Sequence, residues 1–105
     1  MAYVLAEICR RASEAAAAYN QGAQDDERVV RLVLFGSYAN GEQNDESDID
    51  LLVFFATDKV GLFSLARLLD LLECQFDVSV DLVQAPLPPD TLLEIDKEVV
   101  LYEAA

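Results

Sequence analysis

Two aspartates one residue apart, Asp48 and Asp50, open the apolar run DIDLLVFF. Side chains alternate faces along a β-strand, so both carboxylates point the same way. Leu52 follows on that face, with Ile49, Leu51 and Val53 on the other. Two like charges so close repel each other, and in a half-buried strand that costs stability unless a cation neutralises them. Oxygen-only ligands at this spacing suit a hard ion such as Mg²⁺. A solvated strand end carries the same pattern, so the pair alone does not decide between the two.

A third acid, Asp81, stands inside the apolar run VSVDLV. A carboxylate at a strand centre is rarely left alone. If this strand lies beside the one that starts at Asp48, Asp81 completes a cluster of three carboxylates. Otherwise it faces solvent on an open sheet face or caps a neighbouring loop. Asp77 shares its face by alternation but sits at the edge of the strand. The pair Gly36-Ser37 ends another apolar run, ten residues ahead of Asp48. A glycine at a strand end lets the backbone approach a ligand closely. A serine opening a helical turn offers a hydroxyl and free backbone N–H groups to phosphate. By itself the pair is an ordinary tight turn. An anion cradle, a carboxylate pair and a later acid together suggest metal-assisted phosphoryl or nucleotidyl chemistry.

These residues must be held by a small set of elements. Residues 3–20 repeat apolar side chains at three- and four-residue spacing through an alanine run, which predicts a helix. Gly22 and the polar QGAQDDE end it as a linker. RVVRLVLFG, 28–36, reads as a central strand covered on both faces. YANGEQNDES is loop, with one helical turn starting at Ser37. Residues 48–55 form a second strand, 60–74 a helix, 76–84 a third strand and 98–103 a last one. After the break APLPPD, a short helix is expected from Asp90 to about Asp96. The helix at 60–74 is apolar except for the stripe Arg67, Asp70 and Glu73, so it needs wide cover, by the sheet and by a partner. The fold class is α/β (α+β): a small mixed β-sheet packed against helices.

The chain has 105 residues and 53% hydrophobic content, enough for one globular domain with a single core. Its net charge is −13. Residues 25–50 hold eight acids against two arginines, and 76–105 hold seven against one lysine. Such a surface repels nucleic acid, suits a basic protein partner, and admits a nucleotide triphosphate only with a divalent metal. There is no histidine, which excludes a histidine base, and two cysteines alone cannot complete a zinc site. No apolar stretch reaches the ~18 residues of a membrane span and no signal-peptide pattern opens the chain, so a cytoplasmic setting is expected.

With Gly36-Ser37, Asp48-x-Asp50 and Asp81 in place, the sequence resembles the DNA polymerase β-like nucleotidyltransferase superfamily, above all its minimal nucleotidyltransferase (MNT) domains. LFGSYANGEQNDESDIDLLV carries the likeness, supported by VDLV and EVVLYE. The resemblance implies one nucleotidyltransferase domain over 1–105, with an N-terminal helix within 1–21 and a catalytic core over 29–103. It implies that Asp48 and Asp50 ligate two Mg²⁺ ions holding ATP. Asp81 would be both ligand and general base, and Gly36 and Ser37 would bind the phosphates. Many relatives carry arginine where this chain has Asn40, which removes a cation near the phosphates. The chain also resembles antitoxins of HEPN/MNT toxin–antitoxin systems. There the MNT protein neutralises a HEPN ribonuclease toxin by transferring AMP to one of its tyrosines, by tight binding, or by both. Two other readings remain open: a non-catalytic antitoxin that only masks its partner, and a transferase for a small molecule such as an aminoglycoside. Tyr3, Tyr19, Tyr38 and Tyr102 are expected to be packing residues, with Tyr38, in the site loop, the one candidate for self-modification.

Overall fold

The alanine-rich segment forms α1, Leu5–Gln21. It has no side-chain N-cap, so propensity and burial hold it: Ile8, Ala12, Ala15, Ala16 and Tyr19 face the core at helical spacing. The computed structural model describes residues 3–41, 48–57, 60–85 and 98–104. Within these, the elements that follow are a short 3₁₀ turn at Asp25–Glu27 and the strand β1, Val29–Phe35. Next come a single helical turn, α2, Ser37–Asn40, and the strand β2, Ile49–Phe55. The helix α3, Leu62–Gln75, leads to β3, Val80–Gln84, and β4, Val99–Glu103, closes the order. The helix expected from Asp90 to Asp96 lies outside the described residues.

The sheet order is β3-β2-β1-β4. β1 pairs antiparallel with both β2 and β4, whereas β2 and β3 run parallel, joined through α3. The expected small mixed sheet is therefore present. Alternation sorts the strand residues into two cores. On one face Leu32, Leu34, Ile49, Leu51 and Val53 are fully buried with Ile8, Ala12, Leu68 and Leu72 of the two helices. On the other, Val33, Phe35, Leu52 and Ala85 form a second cluster joined by Phe54 and Val83.

Side chains of α1 tie the helix layer to the sheet. The Asn20 side chain accepts a hydrogen bond from the Val29 N–H at 2.8 Å and donates to the Val29 carbonyl and the Tyr102 hydroxyl, both at 3.0 Å. Ser13 donates to the Leu101 carbonyl at 2.9 Å, while Arg11 joins α1 to the end of α3 by donating to the Gln75 carbonyl at 2.7 Å. The third strand begins at Val80, later than the alternation from residue 76 predicts. Asp77 precedes it and is engaged elsewhere: the Tyr3 hydroxyl donates to its carboxylate, and its own N–H donates to the Tyr3 oxygen. Asp77 is thus a clasp for the start of the chain and not a neighbour of Asp81. Among the described residues no helix is long and apolar enough to cross a membrane.

Candidate active site

The register across three strands builds the site in rows. Leu52 of β2 stands opposite Val33 of β1 and Val83 of β3. One row nearer the starts of β2 and β3, at the end of antiparallel β1, Asp50 stands opposite Phe35 on one side and Asp81 on the other. Neighbouring strands lie about 4.8 Å apart, so directly paired side chains on one face are in reach of each other. The pairing of Asp50 with Asp81, conditional in the sequence, is thereby set by the fold. It follows from the parallel β2–α3–β3 unit, since Ile49 N–H donates to the Ser79 carbonyl at 2.9 Å and locks the register one residue ahead.

The environments of the acids differ. Asp50 is half-buried between Phe35 and Asp81, while Asp48 and Asp81 are exposed. Burial, the hydrogen-bonding contact with the Asp81 carboxyl, and the charges of Asp81 and Asp48 push the Asp50 carboxyl from its ordinary 3.8 up to about 6. Asp81 thus faces solvent, as one sequence expectation had it, and also lies beside Asp50, as the other had it. Its strand is at the sheet edge, so the carboxylate is open to an approaching molecule.

Gly36 completes the wall behind Asp50. Its φ of 76° and ψ of −153° lie in a region reserved in practice for glycine. A Cβ at this position would collide with Oδ2 of Asp50 and come within 3.0 Å of its Cγ. The glycine therefore permits both the sharp turn out of β1 and the close approach of the backbone to the carboxylate. Ser37 starts α2 immediately beyond, and the turn closes with Asn40 N–H donating to the Gly36 carbonyl at 3.0 Å. The structure thus brings Gly36, Asp50 and Asp81 together, with Ser37 beside Gly36 and Asp48 two residues from Asp50.

The donor set is all oxygen, and the repulsion held at Asp50 is the kind a divalent cation relieves, so the residues suit a hard ion chemically. Among the described residues no group of three His, Cys, Asp or Glu side chains is gathered closely enough to hold a metal. Sequence reasoning missed Phe35, which borders Asp50 and helps remove it from water. Alternation within β2 placed Leu52 on this face, but the residues that β1 contributes depend on pairing register. Tyr38, the candidate for self-modification, is only 2% exposed and packs in the helix-side core, which withdraws its hydroxyl from nucleotide chemistry.

A family model described as a nucleotidyltransferase domain matches residues 18–103. Three similar curated proteins come from Methanocaldococcus jannaschii (strain ATCC 43067 / DSM 2661 / JAL-1 / JCM 10045 / NBRC 100440). "Putative protein adenylyltransferase MJ1379" is 43% identical over 61 residues, 57% of this chain and 61% of that protein. "Putative protein adenylyltransferase MJ1215" is 40% identical over 62 residues, covering 57% of this chain and 69% of that one. MJ0126, again so described, is 36% identical over 56 residues, covering 53% and 56%. The match thus spans less than two thirds of the first relative's length. Among solved structures, a toxin–antitoxin crystallised with AMP-PNP superposes with a TM-score of 0.64 at 23% identity, covering 88% of this chain and 73% of that one. A mutant of the MntA–HpeT toxin–antitoxin superposes at 0.63 and 21% identity, with the same coverage.

Proposed function

Because the chain belongs to the nucleotidyltransferase domain family, we propose that it transfers AMP from ATP, with Mg²⁺, to a tyrosine of a HEPN toxin and thereby neutralises it. The observation that carries this reading is the row Phe35–Asp50–Asp81 set against Gly36. It supplies paired carboxylates and a close backbone turn at one end of the sheet. The relatives' description as protein adenylyltransferases supports a protein acceptor. The toxin–antitoxin neighbours share the fold, and the net charge of −13 favours a basic partner over nucleic acid.

In this reading Asp50 and Asp81, which the register pairs, would hold the metal, with Asp48 a third ligand once the ion draws the carboxylates together. The ion would neutralise phosphate charge and lower the barrier to displacement at the α-phosphorus. Gly36 and Ser37 receive the outer phosphates with backbone N–H groups and a hydroxyl. Asp81, on the exposed edge strand, takes the proton of the incoming tyrosine hydroxyl. The tyrosine oxygen bonds to the α-phosphorus, the bond from that phosphorus to the α–β bridging oxygen breaks, and pyrophosphate leaves. Asp50 anchors the arrangement: its half-buried carboxylate is fixed by Phe35, Gly36 and Asp81, and so presents its charge in one place.

The test is incubation of the protein with ATP labelled at the α-phosphate, Mg²⁺ and the protein encoded by the adjoining gene. Label on a tyrosine of that protein, absent with Asp50→Asn or Asp81→Asn, is the expected result. A tight complex that never becomes labelled would show instead an antitoxin that masks its partner by binding alone.

A further inference from the structure

Helix α3 buries Leu68 and Leu72 completely, yet it begins with Leu62 81% exposed and Phe63 93% exposed. Single exposed apolar residues are ordinary on a protein surface. Two adjacent large ones, followed one turn later by exposed Ala66, make a projecting apolar knob. The rim of this knob is acidic. Ser64 donates to a Glu27 carboxylate oxygen at 3.0 Å, which fixes the turn Asp25–Glu27 against the start of α3. Asp25 and Asp26 are exposed there. Among the described residues the nearby cations are Arg28, exposed at the end of the turn, and Arg67, whose guanidinium is held 5.4 Å from the centre of the Tyr19 ring.

The knob lies at the opposite end of the sheet from the candidate active site. Ala56, just past β2, donates to the Arg28 carbonyl at 2.8 Å, which puts this end of β2 beside the turn. Asp50 is five residues back from Phe55, roughly 17 Å of extended strand. A protein held at the knob therefore leaves the nucleotide site free. A second copy of this chain is a poor occupant, because two-fold pairing would set one acidic trio against another in a chain of net charge −13.

We propose that Leu62 and Phe63, rimmed by Asp25, Asp26 and Glu27, are the docking surface for the protein acceptor, which presents an apolar pocket edged by lysine or arginine. The identity of the occupant as the acceptor rests on the proposed transferase function. The knob supplies the buried anchor and the acids supply steering and register.

Calorimetric binding to the protein encoded by the adjoining gene tests this, using the full chain, Phe63→Ser and the double variant Asp25→Lys with Asp26→Lys. Transfer of label is followed in parallel. Phe63→Ser should weaken binding by about tenfold or more, and the charge-reversed variant should weaken it and flatten its salt dependence. Phe63 is exposed enough for the substitution to leave the fold intact, which an unchanged melting curve checks. Binding of Phe63→Ser equal to that of the unaltered chain overturns the docking surface, even if label is transferred normally. So does failure of the unaltered chain to bind this protein, or a sedimenting homodimer that Phe63→Ser dissolves. Phe63-dependent binding with no label in any sample upholds the surface and overturns the transferase reading instead.

Discussion

The carboxyl group of Asp50 carries a strain that its neighbours cannot relieve. It lies between an aromatic ring and a second acid, and its proton is held up to about pH 6. The native chain therefore binds a proton at Asp50 that the unfolded chain, with its ordinary 3.8, does not. Stability is gained as pH falls through 6 towards 4 and is lost as pH rises again. Asp50→Asn removes the charge and should stabilise the protein above pH 6 by about 1 kcal/mol, once solvent screening of this half-exposed group is discounted. That corresponds to roughly 5 °C in Tm for a domain of this size. The gain should shrink to nothing near pH 4, while nucleotide transfer is lost at every pH. Melting curves of both proteins from pH 4 to 8 check the sign. Tyr38 gives the complementary case. Its buried hydroxyl has no hydrogen-bond partner among the described residues, so Tyr38→Phe should leave stability unchanged or raise it by up to ~1 kcal/mol. Transfer activity should persist, since the hydroxyl lies in the core.

At the scale of elements, the helix layer is fastened to the sheet at a few polar points, of which Asn20 is the densest. Its amide satisfies both backbone groups of Val29 and the Tyr102 hydroxyl. Asn20→Ala strips those bonds at the start of β1 and should cost about 1–3 kcal/mol in urea unfolding. Asn20→Asp should fare no better, because a carboxylate would face the Val29 carbonyl. What the sequence reveals of these elements follows from periodicity. The 3.6-residue repeat of α1 is written locally and strand alternation from the acid pair sorts β2, so their faces were legible. β1, apolar almost throughout, reads as covered on both faces, and which of its residues meets Asp50 needed the pairing. The start of β3 was not: Asp77, Val78 and Ser79 continue a strand-like pattern, but a contact with Tyr3, 74 positions away, takes Asp77 out of it. The Asp50–Asp81 pairing depends on how α3 returns the chain, which no local pattern records. The wide apolar cover expected for α3 is half present: Leu68 and Leu72 are buried, whereas Leu62 and Phe63 project from the surface.

For the whole molecule, a net charge of −13 over 105 residues makes self-repulsion a general feature of the fold. Sodium chloride should raise the melting temperature modestly by screening. Mg²⁺ at equal ionic strength should raise it further, because it also relieves the carboxylates at the site. The excess over sodium chloride should vanish in the double variant Asp50→Asn with Asp81→Asn. Charge and apolar content were plain in the sequence, and so were the carboxylates and the Gly36-Ser37 turn. The second apolar core, formed by Val33, Phe35, Leu52 and Ala85, needed the strand order. The most direct measurement is calorimetric titration of a non-hydrolysable ATP analogue into the protein, with Mg²⁺ and with EDTA. The geometry of Asp50, Asp81 and Gly36 predicts binding that requires Mg²⁺ and is lost in Asp50→Asn and Asp81→Asn. Equal binding in EDTA, or binding unchanged by both substitutions, would contradict it.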